Sequence, residues 1–451
     1  MKKTFLCLIL SASIAFGMDT WQEEAAERIE EIRKGDFTLT ILMPNGQPAS
    51  GMAIYIKQTR HDFCFGTCVS AQYLGGESED SKKYEDFILK HFNTIVFENE
   101  LKWEFTEPEQ GKENFSEAGK IWAFAQKNHL RVRGNCLLWG VPSHIQAWVR
   151  HLSPENLKES MLRHLQNTVS RYAGRLIAWD VFNELLDGAY YADVLGEQNL
   201  YEFFQKVKSM DPHTPLFLNE YGILDNEEKQ GRYLQLVQRL QRNGVEIGGL
   251  GIQEHAAERF SFGASGLLFS TDAQTVPFLP EDVLRCWDYL GTSRLPIYMT
   301  ELSFRSPNEE RKAAALETCF RLAFSHPNIR GIILWGFWEN NHWLGKDAAL
   351  VNADWQCLPA GNILRKLLLE EWNTSTTEIA DEKGEIKFRG FFGDYRIEGQ
   401  LPSGEKITGE TKCLASQRSA RVMLSFAQEE EKKTTPVAQE ETIQTVPEKT
   451  N

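Results

Sequence analysis

The sequence predicts an α/β chain built as a (β/α)8 TIM barrel with small flanking β segments. Three observations carry that reading. Between about residues 59 and 372, short apolar runs alternate with longer helix-period stretches eight times. The runs end on polar or acidic residues: Asn99, Asn183-Glu184, Asn219-Glu220, Gln253-Glu254-His255 and Glu301. No glycine-rich dinucleotide fingerprint or P-loop follows any run, which argues against an open doubly wound sheet.

The elements follow in order. Lys2 and Lys3, then an apolar stretch from Phe5 to Phe16 and the small-x-small site Ala15-Phe-Gly17, read as a signal peptide over residues 1–17. Cleavage there takes the formal charge from −14 to −16 (47 − 63) and predicts a secreted or periplasmic protein without a membrane anchor. Residues 18–58 read as an N-terminal helix, Trp21 to Lys34, and a β hairpin made of Phe37–Met43 and Met52–Lys57. The eight barrel strands are expected at Phe63–Val69, Thr94–Phe97, Arg131–Leu138, Ile177–Phe182, Pro215–Asn219, Gly249–Gln253, Pro296–Leu302 and Gly331–Trp335. Helical stretches between them include Ser116–Asn128, Pro154–Tyr172, Leu200–Ser209, Asn226–Arg242, Pro280–Leu290 and Glu309–Phe324. Residues 373–425 read as a small C-terminal β module. Residues 426–451, rich in Glu, Lys, Thr, Gln and Pro, read as a disordered tail.

Composition narrows the partners. The chain has 451 residues, is 42% hydrophobic, and carries a net charge of −14 with no basic cluster, so nucleic acid and anionic membranes are poor partners. A neutral substrate fits. Seven cysteines remain after the leader, scattered without disulfide-scaffold or metal spacing, and no H-E-x-x-H motif occurs, so neither a metal nor a cofactor is expected. The chain is expected to be a monomer.

Two segments carry the chemistry: Leu176-Ile-Ala-Trp-Asp-Val-Phe-Asn183-Glu184 and Pro296-Ile-Tyr-Met-Thr300-Glu301. An acid at the end of a buried strand is unfavourable unless it is satisfied or used. A single such acid is explained as a helix cap. Polar ends on most strands of one barrel point instead to a pocket, and a carboxylate pair in it is the equipment of a glycoside hydrolase.

The barrel segment closely resembles glycoside hydrolase family 10, the retaining endo-β-1,4-xylanases. Glu98-Asn99-Glu-Leu-Lys102-Trp103 resembles the family's E-N-x-x-K-W, and Arg133-Gly134 with Leu138-Trp139 its third-strand motif. Trp179-Asp-Val-Phe-Asn183-Glu184 resembles the acid/base motif, Gly251-Ile-Gln253-Glu-His255 the G-x-Q-x-H motif, and Thr300-Glu301-Leu302 the nucleophile motif. Trp335-Gly336 and Trp343 resemble the aromatic cage of the eighth strand. The resemblance implies Glu301 as nucleophile and Glu184 as acid/base. It implies Asn183 bonding a sugar 2-hydroxyl, and Gln253 and His255 orienting the nucleophile. It also implies Asn99 and Lys102 gripping the next sugar, Trp139, Trp335 and Trp343 walling the site, and a polysaccharide or oligosaccharide substrate. Glu98, Glu220, Glu254, Trp338 and Glu339 read equally as structural.

Three positions depart from the family pattern. Asn135 and Gly140 stand where the third-strand motif has histidines, and Ser303 stands where an Asp often partners the motif His. A shorter amide at 135 and the missing carboxylate at 303 predict an altered shell, with His255 losing its orienter. They also motivate a competing expectation, a catalytically impaired glycan-binding pseudoenzyme. His144 and Gln146, in a loop one residue longer than usual, are candidates to fill the gap.

Overall fold

The computed structural model describes residues 21–260 and 276–427. The leader, most of the tail and much of the loop after strand six lie outside these residues. Eight parallel strands close into a barrel: Cys64–Val69, Thr94–Phe97, a third in two pieces (Arg131–Gly134 and Leu138–Trp139), Ala178–Asn183, Leu216–Tyr221, Gly249–Glu254, Ile297–Leu302 and Ile329–Leu334. Closure runs through Gly331–Leu334 against Cys64–Thr67 on one side. On the other, both pieces of strand three pair with strand four. The expected continuous strand 131–138 is therefore corrected. Residues 135–137 leave the ladder, and the Leu137 N–H instead donates to the Asp180 carbonyl at 2.9 Å.

Helices separate the strands, and four of them open on a side-chain cap. Ser78, Ser153, Asn226 and Asn308 each accept from the backbone N–H three residues on, opening Glu79–His91, Pro154–Tyr172, Glu227–Arg242 and Glu309–Ser325. The first of these was not anticipated. The barrel interior holds an ion pair, Arg133 with Asp180, both essentially without solvent contact. Its guanidinium also lies 4.5 Å from the Phe217 ring centroid. Gly249 makes room for that ring, since a Cβ there would stand 2.0 Å from it.

The flanking segments differ from expectation. Residues 21–33 are helical, but the strands that follow, Lys34–Leu42 and Ala53–His61, form no hairpin. Each goes to a different sheet. Lys34–Leu42 is the middle of three strands, antiparallel to Glu385–Phe391 and parallel to Ser419–Met423. Ala53–His61 lies between Ser375–Ile379 and Gly393–Gln400 in a five-stranded sheet completed by Lys406–Cys413 and Ser425–Phe426. The two sheets share one core, with Phe37, Leu39 and Ile41 facing Ile54, Ile56 and Ile397. Alternating burial along both N-terminal strands places one face of each in that core. The strands expected within 18–58 and 373–425 are thus halves of one β sandwich, which continues to Phe426. It docks on the end of the barrel where strands begin. Arg33 donates to the carbonyls of Phe324, His326 and Ile329 at 2.7–2.9 Å. The Trp372 ring packs 4.4 Å from Phe324. All seven cysteines of the described residues are free, Cys64 and Cys68 among them.

Candidate active site

At the opposite end, where the strands finish, a cleft of about 850 Å³ opens. All eleven residues picked from the sequence line it: Asn99, Lys102, Asn135, Trp139, Asn183, Glu184, Gln253, His255, Glu301, Trp335 and Trp343. Glu301 ends strand seven and is 5% exposed. Its Oε1 accepts from Asn219 Nδ2 at 2.7 Å and from Asn135 Nδ2 at 3.5 Å. Thr300 Oγ1 donates to Asn219 Oδ1 at 2.5 Å, so the amide must turn its nitrogen toward the carboxylate. The same nitrogen reaches Asn183 Oδ1 at 2.8 Å, and Gln253 Nε2 reaches that oxygen at 3.3 Å. Asn183 Nδ2 then donates to Glu184 Oε1 at 3.3 Å. Two amides with a consistent donor direction therefore join the two acids.

Glu184 lies just past strand four with its backbone in the left-handed region, φ 56°. Holding a non-glycine residue there is unfavourable by roughly 1–3 kcal/mol. Its N–H donates to the Asn219 carbonyl at 2.9 Å, and its carbonyl takes the Gly188 N–H at 2.7 Å. This turn aims the side chain at the cleft, where Oε2 accepts from Trp139 Nε1 at 2.9 Å. Burial raises the Glu184 pKa above the ordinary glutamate value. The Trp139 hydrogen bond opposes that rise and the charge of Glu301 reinforces it.

The departures from the family pattern resolve into contacts. Asn135 Nδ2 bridges Asp180 Oδ2 at 3.1 Å and Glu301, tying that carboxylate to the buried Arg133–Asp180 pair, while its buried Oδ1 has no partner among the described residues. Gly140 has no room for a side chain, since a Cβ would lie 2.2 Å from the Gly188 carbonyl. The expectation that His255 loses its orienter is corrected. Ser303 Oγ takes the Trp343 Nε1–H at 3.3 Å and lies 3.1 Å from His255 Nδ1. Indole is donor only, so the serine proton is free to serve Nδ1. The imidazole proton then sits on Nε2, 3.5 Å from Glu301 Oε2.

Lys102 Nζ bonds Asn99 Oδ1 at 2.9 Å and stands 4.9 and 5.7 Å from the Trp139 and Trp335 ring centroids. Trp139 is not the bare platform expected of it. The His144 ring stacks on it at 3.4 Å and 7°. Trp335 is 7% exposed against Cys68, Val96 and Ile333, whereas Trp343 is 52% exposed. Of the undecided residues, Glu98 and Glu254 line the cleft, and burial pushes both up to about 7. Glu220 is fully buried and pushed up to about 8 by burial, accepting from the Leu186 N–H. Trp338 is core, stacked on Trp355, and Glu339 holds the Ala353 N–H.

Sequence reasoning listed Asn219 only as a polar strand end and did not assign it to the site. It also left out Tyr221, which lines the cleft 41% exposed with Lys229 Nζ 3.8 Å from its ring centroid. The strand-end position was the signal for both.

The chain is 34% identical over 386 residues to the anti-sigma-I factor RsgI6 of Acetivibrio thermocellus, covering 86% of this chain and 47% of that protein. It is 34% identical over 383 residues to endo-1,4-beta-xylanase 1 of Arabidopsis thaliana, covering 84% and 38%. It thus spans less than half the length of these curated relatives. Native xylanase 10B of Thermotoga maritima superposes with a TM-score of 0.59 at 23% identity over 69% of this chain and 96% of that one, a likeness of fold. The family model for glycosyl hydrolase family 10 matches residues 56–366. That span runs from the strand leading into the barrel to the end of its last helix at Lys366. On this match the chain belongs to glycosyl hydrolase family 10.

Proposed function

We propose that this chain is a retaining endo-1,4-β-xylanase-like glycoside hydrolase acting on internal linkages of xylan or a related β-linked glycan. The observation that carries the reading is the pair Glu184 and Glu301, joined through Asn183 and Asn219 at the floor of one open cleft. Retention needs two carboxyls roughly 5–5.5 Å apart. Glu301 attacks the anomeric carbon while Glu184 passes its proton to the leaving glycosidic oxygen. The C–O bond breaks and a glycosyl ester on Glu301 forms. With Glu301 neutral, one of the influences that raises the Glu184 pKa is gone. Glu184, now a carboxylate, takes a proton from water as the water's oxygen attacks the anomeric carbon and the bond from that carbon to Glu301 breaks, restoring both acids. Asn99, Lys102, Tyr221 and Asp225 line the same cleft and supply further polar groups for a sugar chain.

Reducing ends released from xylan, followed for the wild type and Glu301→Ala, test the reading. The expected result is strong signal from the wild type only, with the β anomer first by NMR. Equal signal from both proteins, or the α anomer first, overturns it.

A further inference from the structure

We propose that His144, anchored by Glu104, is a positioning residue that clamps Trp139 and so aims and tunes the acid/base Glu184. The inference rests on the assignment of Glu184 above. Its ground is a continuous chain of contacts. Glu104 Oε1, from the short helix Trp103–Thr106, lies 2.9 Å from His144 Nδ1. A carboxylate offers no proton, so the imidazole carries one on Nδ1. The imidazole lies flat on the Trp139 indole at 3.4 Å. That indole donates its only N–H to Glu184 Oε2 at 2.9 Å. Lys102 Nζ stands 4.9 Å from the same ring, so the indole is held from a second direction.

The backbone explains why a residue five positions beyond Trp139 does this. Gly140 packs on the Gly188 carbonyl and has no room for a side chain. The chain turns out through Pro142–His144 and brings an imidazole back over the ring. The turn is itself fixed: Arg150 donates to the Pro142 carbonyl and, from Nε at 3.1 Å, to that of Ile145. The charged groups around the stack are thus Glu104 and Lys102 on one segment, Arg150 on the loop, and Glu184 with Glu301 beyond it.

The chemical consequence is specific. The indole N–H favours the charged form of Glu184, against burial and the charge of Glu301. If the indole tilts, Glu184 loses its donor and its direction. Protonation of a poor leaving group suffers, and so does base catalysis on water. Departure of a good leaving group, which needs no proton, does not.

The test compares xylan with a 2,4-dinitrophenyl β-xylobioside, following the glycosylation burst on the latter, for wild type, His144→Ala, His144→Phe, Glu104→Gln and Glu184→Gln. His144→Ala is expected to lower kcat/KM on xylan about tenfold or more, while the burst rate changes less than about threefold. The basic limb of kcat/KM moves to higher pH, because a Glu184 without its donor keeps its proton longer. His144→Phe, which retains a flat ring, recovers part of the loss, and Glu104→Gln falls between. Equal losses on both substrates with an unmoved limb, or no loss at all, overturn the proposal. Glu184→Gln is the independent arm: if it shows no preference for the activated substrate, the acid/base assignment itself fails, whatever His144 does.

Discussion

Glu301 and Glu184 end strands of the same barrel, yet the fold holds them in opposite ways. Glu301 sits inside its strand, where the register with both neighbours shifts, and it is met by Asn219 from strand five, Asn135 from the gap in strand three and His255 from just past strand six. Glu184 hangs on a left-handed turn one residue past its strand, with one short bond, to Trp139, and one longer, to Asn183. On the proposed assignment, the group that must place an oxygen on a carbon is held by one short donor from strand five. For the group that must give up and regain a proton, burial and a neighbouring charge govern its state. Glu301 is held from inside its own strand, whereas Glu184 depends on a turn and on an indole, Trp139, that the His144 ring covers.

The largest expected effect comes from removing the charge at the sheet-held end. Glu301→Gln should abolish xylan hydrolysis, by on the order of 10⁴–10⁶-fold. It should also lower the Glu184 pKa, since the Glu301 charge helps to raise it. A carboxyl titration by ¹³C NMR checks the sign, and an unchanged or higher value breaks the contrast drawn above. Asn219→Ala comes next. It removes the 2.7 Å donor to Glu301 and the link to Asn183, and should lower kcat about 10²-fold with little change in KM. A loss confined to KM would mean that Asn219 serves binding. The smallest is Ser303→Ala, which frees both His255 Nδ1 and Trp343 Nε1. One lost side-chain hydrogen bond is worth on the order of 1.4 kcal/mol, so about tenfold in kcat/KM is expected. An unaffected rate would show that Trp343 alone orients His255.

The barrel was legible because its signals are local. Strand runs, helix-period stretches and polar strand ends are all read within a few residues of one another. Strand ends also delivered the site, since every barrel strand ends on the same rim. The parts that escaped depend on contacts between distant segments. Nothing near Ser303 announces that Trp343 supplies the proton donor that frees its hydroxyl for His255. Nothing near Gly140 announces that Gly188 fills its space and sends the chain out to His144. The hairpin was misread for the same reason. Strands 34–42 and 53–61 have ordinary turn chemistry between them, and their true partners lie more than 300 residues away.

That pairing has a consequence for the order in which the protein can be made. Lys34 is matched with Phe391, and Lys57 with Ser375 and Arg396. Strands 34–42 and 53–61, made before the barrel, must wait with open hydrogen-bonding edges and exposed Ile and Phe faces until the whole barrel has followed. The sandwich therefore closes only after the barrel segment has been made, and a chain interrupted before residue 375 leaves both sheets without partners.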